Sequence, residues 1–198
     1  HPIQHFVPFY RALAQEDSID LTVVFCSRIG VEPYFDQAMN TTIAWKMDLL
    51  GGYDHVFLSE ADYITSTGPR RIDNPSVVCA LNRLGPDAVL VHGYGHRTMR
   101  RALRWAKKAK VASLLFGDSN LQNPRSRTKK LLKRVVLPFY FSRISAFLTI
   151  SEENEKYYRN YGVNKRKIFR VPFPIDEPLY LAKWSERKPL RKCYRKSL

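Results

Sequence analysis

Residues 86–120 read PDAVLVHGYGHRTMRRALRWAKKAKVASLLFGDSN, and this stretch decides the fold. AVLV (88–91) is a short apolar run without alternation, the pattern of a strand buried on both faces. The polar turn HGYGH (92–96) follows it. RTMRRALRWAKKAK (97–110) then sets Met99, Ala102, Leu103 and Ala106 on one helical face and basic residues on the other. VASLLF (111–116) is a second apolar run, and it too ends in a polar loop, GDSN. Strand, helix and strand in this order imply parallel pairing through a right-handed crossover.

The same rhythm extends both ways. Downstream, RTKKLLKRVVLPFYFSRI (127–144) reads as a helix with Pro138 as a kink point. SAFLTIS (145–151) reads as a strand, SEENEKYYRNYG (151–162) as a helix and KIFRVPFPID (167–176) as a further strand. Upstream, PSVVCALNRLG (75–85) reads as a helix started by Asn74 and Pro75 and stopped by Gly85. IDLTVVFCS (19–27) is a β-branched strand, and GGYDHVFL (51–58) suggests another inside the irregular stretch 28–75. IQHFVPFYRALAQ (3–15) has helical spacing at Ile3, Val7, Tyr10, Leu13 and Ala14, which restricts Pro8 to the first turn. The expected fold is therefore α/β, an open, doubly wound, mostly parallel sheet of Rossmann-like type. HGYGH, GDSNLQN and ISEEN all fall at strand carboxyl ends, the edge where ligands bind in such sheets.

Bulk properties narrow the class. At 198 residues, 44% hydrophobic and 13% aromatic, the chain suits one globular domain rather than a disordered one. No apolar run approaches the roughly 18 residues that a membrane span needs. HPIQHFVPFY lacks the basic, apolar and small-residue regions of a signal peptide, and the absent initiator Met suggests a chain that begins mid-protein. Cys26 and Cys79 lie in apolar surroundings and are expected to be buried thiols, as in a cytoplasmic protein; Cys193 stands apart. Charge is uneven: 6 Lys/Arg against 11 Asp/Glu over residues 1–90, then 27 against 7 over 91–198. The basic second half points to an anionic partner, whether phosphate, nucleic acid or an acidic membrane.

TISEENEKYYRNYGVNKRKIFRVPFPID (149–176) resembles the end of the N-terminal domain of GT-B glycosyltransferases of family 4. HPIQHFVPFYRALA (1–14) is similar to the first helix of one branch of that family, and PDAVLVHGYG and LLFGDSN to its central strand-end loops. The resemblance covers nearly all of residues 1–176. It implies a Rossmann-like acceptor-binding domain over 1–176 lacking its first strand. Residues 177–198 would be an interdomain linker and the start of a missing C-terminal nucleotide-sugar-binding domain.

What the resemblance implies about function is specific. The enzyme would be a retaining, metal-independent glycosyltransferase moving a sugar from a UDP- or GDP-linked donor to a lipid-linked or polysaccharide acceptor. No further cofactor is implied, and the chain alone would be inactive. His92 would be the catalytic residue, contacting the transferred sugar as a neutral imidazole; Gln4, His5, Gly93, Tyr94, Asp118, Ser119 and Asn120 would bind substrate. Ser119 and Asn120 read equally well as capping residues, whereas Ser151, Glu152 and Glu153 read as an N-cap with acids in the first turn. His92 and His96 as a metal pair lack a third ligand. Arg97, Arg100, Arg101, Arg104, Lys107, Lys108, Arg127, Lys129, Lys130, Lys133 and Arg134 would form a basic surface on two helices. Such a surface suits peripheral binding to the anionic inner face of the plasma membrane. The competing readings are a non-enzymatic α/β binding module or transferase remnant, and a basic nucleic-acid-binding domain. The last lacks interleaved aromatics and any known nucleic-acid-binding pattern.

Overall fold

A computed structural model describes residues 1–36, 39–45, 47–66, 68, 71–122, 127–175 and 181. The last expected segment, 177–198, thus lies outside the described residues apart from Leu181.

The chain forms an α/β fold with parallel sheets. Strands β5 (Ala88–His92), β6 (Ala112–Gly117), β7 (Ala146–Thr149) and β8 (Ile168–Arg170) pair in that order, all parallel. Their crossovers are α3 (Arg97–Ala109), α4 (Arg127–Phe141) and α5 (Glu152–Asn160). The register sets His92 opposite Phe116 and Gly117 opposite Thr149, so the polar loops leave the sheet side by side.

Local chemistry explains the element ends. In α1 (Val7–Ala14) Pro8 occupies the first turn, where its missing N–H breaks no helical hydrogen bond. Helix α2 (Val77–Leu84) stops at Gly85, whose φ of 57° a residue with a side chain adopts only at a cost. Ser151 caps α5 by accepting from the Asn154 amide, with Glu152 and Glu153 in the first turn. Helix α4 runs on through Pro138.

Three sequence expectations are corrected. The sheet is not continuous: β1 (Thr22–Phe25) pairs in parallel with β4 (Asp54–Phe57) as a separate ladder. Side chains outside the strands tie the two parts together instead. The Asn74 carboxamide donates to the Cys26 carbonyl, and both ladders pack on one core that includes Cys26, Val89, Val91 and Leu115. Second, the stretch 28–75 holds an antiparallel hairpin, β2 (Tyr34–Asp36) with β3 (Thr41–Ile43), that no periodicity announced. Third, Cys26 is buried but Cys79 is exposed, because Val77, Ala80 and Leu81 turn the opposite face of α2 inward.

Candidate functional site

The carboxyl ends of β5, β6 and β7 form one rim. His92 closes β5 with its ring among Phe6 (centroids 4.3 Å apart), Tyr10 and Phe116. Its Nε2 lies 3.0 Å from the Tyr10 hydroxyl, while Nδ1 is covered and has no hydrogen-bond partner. Burial pushes the imidazole down to about 4. At neutral pH His92 is therefore uncharged, able to share hydrogen bonds but not to act as an imidazolium acid.

Gly93 has a φ of 73° and donates to the Phe116 carbonyl at 2.7 Å. A Cβ there would touch nothing, so the left-handed backbone, not crowding, favours glycine. Tyr94 turns away from the rim: its hydroxyl sits 2.6 Å from that of Tyr157, which also accepts from Lys133 at 3.1 Å. Lys133 is thus drawn into the interior face of α4, against the expectation of a surface cation, because a phenol oxygen lies within its reach.

Asp118 is exposed at the rim. The Ser119 carbonyl accepts from the buried Asn154 carboxamide at 2.7 Å, while Asn120 closes a local turn onto the Gln122 amide. Asn154 Oδ1 also takes the Ile150 amide, so one side chain ties the loops after β6 and β7 together. Gln4 and His5 are exposed just before α1. The His5 ring lies against Phe6 and Phe173, at 4.6 and 5.1 Å between centroids, and burial lowers its pKa.

The aromatic members, Phe6, Tyr10, Phe116 and Phe173, escaped sequence reasoning. Phe6 touches His5, His92, Phe116 and Phe173 at once, and Phe173 remains 43% exposed. A signal did exist in the density of aromatics in HFVPFY and VPFP, but nothing in either segment reveals that they meet.

The basic residues divide. Arg97 and Arg101 both bind Asp73, at 3.1 and 3.0 Å. Lys130 and Arg134 are exposed on α4; the side chains of Arg127 and Lys129 lie outside the description. Between the exposed cations runs an apolar line: Leu131, Leu132, Val135, Val136 and Phe139 all face outward, Val135 at 70% exposure. Among the described residues no three His, Cys, Asp or Glu side chains converge as metal ligands, and no helix is long and apolar enough to cross a membrane. No protein-family model, curated protein or solved structure matches the chain.

Proposed function

We propose that the chain is the acceptor-side half of a retaining glycosyltransferase that works at an anionic membrane surface. The observation that carries this reading is the rim itself. A neutral histidine with one uncommitted nitrogen and an exposed carboxylate stand beside an aromatic cluster, of which Phe6 and Phe173 reach the surface, at the carboxyl edge of a parallel sheet. Apolar walls with few polar groups suit a sugar, whose C–H faces lie on rings while its hydroxyls seek hydrogen bonds.

In this reading a shift of the ring brings the covered His92 Nδ1 to a hydroxyl of the transferred sugar. Asp118 accepts from the attacking acceptor hydroxyl, and the loop held by Asn154 fixes the angle of attack. The acceptor oxygen bonds to the anomeric carbon as the bond to the donor diphosphate breaks on the same face, and the acceptor proton leaves with the diphosphate. A nucleotide-sugar-binding domain supplies the positive charge that this leaving group needs. The donor is a UDP- or GDP-sugar, and the acceptor is lipid-linked or a polysaccharide.

The outward apolar line on α4, flanked by Lys130 and Arg134, supports docking on the inner face of the plasma membrane. Apolar residues enter the headgroup boundary while each nearby cation contributes on the order of 1 kcal/mol. A non-catalytic α/β binding module is the second reading, favoured by the Tyr10 bond that already engages His92.

Thermal-shift screening of the complete protein against nucleotide sugars separates the two. One donor class should raise the midpoint, since a ligand that binds the folded state stabilises it. If no nucleotide sugar shifts the midpoint, the transferase reading fails and the binding module stands.

A further inference from the structure

One face of α3 carries four arginines that the rim does not use. Arg97, Arg100, Arg101 and Arg104 fall at i, i+3, i+4 and i+7, and together they line a cleft of about 230 Å³. Like charges at these spacings repel one another. Asp73 answers two of them, accepting from Arg101 and Arg97, and the Arg101 bond above all holds its carboxyl below the usual range. Arg100 donates to the carbonyls of Gly95 and His96. Four guanidinium groups against one carboxylate leave the cleft with three uncompensated positive charges.

Two further features lie near these arginines. The Tyr140 hydroxyl on α4 is covered, has no hydrogen-bond partner and lies in the field of Arg100 and Arg104. Burial pushes this phenol up to about 12, so at neutral pH it keeps its proton and remains a donor. The N-terminus of α3 has neither a side-chain cap from His96 nor an acid in its first turn, so the positive end of a 13-residue helix is unanswered.

We infer that this cleft binds a phosphomonoester. Guanidinium forks match phosphate oxygens two at a time. A monoester brings close to two negative charges and three acceptor oxygens; a phosphodiester brings one charge and two such oxygens. Four arginines on one helix face suit the former. The inference deepens the transferase reading by giving the acceptor or its membrane a phosphate, and it rests on that reading only for which molecule carries the group.

The test uses the 198-residue chain and the variant R100Q/R104Q, which leaves the Arg97–Asp73–Arg101 bonds in place. In one arm, inorganic phosphate is titrated and followed by phosphorus NMR line broadening. In the other, vesicles containing phosphatidic acid are compared with phosphatidylglycerol vesicles of matched surface charge. Saturable phosphate binding, weakened about tenfold or more in the variant, supports the site and shows that a free phosphate suffices. A preference for phosphatidic acid that the variant loses, without binding of free phosphate, supports the site with the lipid headgroup as its source. Equal binding of the two vesicle types together with no phosphate binding overturns the inference, as does binding that the variant leaves unchanged. Should the double variant not fold, R104Q alone serves. If the chain binds phosphate while the complete protein responds to no nucleotide sugar, this site is kept and the transferase reading is lost, so the two failures are distinct.

Discussion

The Tyr10 hydroxyl and His92 Nε2 stand 3.0 Å apart although 82 positions separate them, and their bond joins α1 to the end of β5. Burial, more than this bond, keeps the imidazole neutral. Folded His92 takes its proton only near pH 4, whereas an unfolded histidine does so near about 6.5. Between those values the unfolded chain holds more protons, so stability rises with pH through that window and is lost as pH falls through it. His92 should make the fold about 2 kcal/mol weaker at pH 5 than at pH 7. Urea unfolding at both values, compared with H92Q, checks this; an identical pH dependence in H92Q would contradict it.

Removing the Tyr10 hydroxyl should cost stability directly. In Y10F the part-buried Nε2 loses its partner, at an expected cost of about 1–3 kcal/mol, read as a fall in the urea midpoint without a change in slope.

Asn154 is 1% exposed and serves both the Ser119 carbonyl and the Ile150 amide. N154A strands both, so a loss of about 1–3 kcal/mol is expected. Amide exchange at residues 117–120 should accelerate more than in the core of β6, which a uniform loss of stability would not produce.

A Cβ at Gly117 would lie 2.8 Å from the hydroxyl of Tyr158, a fully buried side chain. G117A should therefore destabilise by about 1–3 kcal/mol. The Tyr158 hydroxyl has at most a weak bond, to the Asn154 side chain, so Y158F should cost little and should recover most of the loss in G117A/Y158F. Additive losses in the double variant would show that the clash lies elsewhere.

Much of this was legible in the chain. The apolar runs at 88–91 and 111–116 and the 3.6-residue spacing of Ala102, Leu103 and Ala106 fixed strand and helix types, because each carries its period within a few residues. Gly85 and Ser151 marked ends through local backbone chemistry. What could not be read depends on pairs far apart in sequence: Tyr10 with His92, Asn154 with Ser119, Tyr94 with Tyr157. Strands β2 and β3 are three residues each and half exposed, too short to carry a period. Cys79 was readable and misjudged: apolar neighbours in sequence are not neighbours on a helix, and Val77, Ala80 and Leu81 define the inward face without it.

Membrane docking should depend on α4 in two separable ways. L131D/V135D places charge on the outward apolar line and should reduce co-sedimentation with phosphatidylglycerol vesicles about tenfold or more at low salt. K130Q/R134Q should weaken binding less and flatten its salt dependence. Binding by L131D/V135D equal to the parent would mean that the apolar line does not enter the bilayer.

The most direct measurement is sugar transfer itself. The complete protein is incubated with radiolabelled UDP- and GDP-sugars and membranes that carry endogenous acceptor, and label in the lipid and polysaccharide fractions is counted. The account predicts incorporation from one donor class, reduced about a hundredfold or more in H92A while the variant stays folded. Transfer undiminished in folded H92A, or no incorporation from any donor, would contradict it.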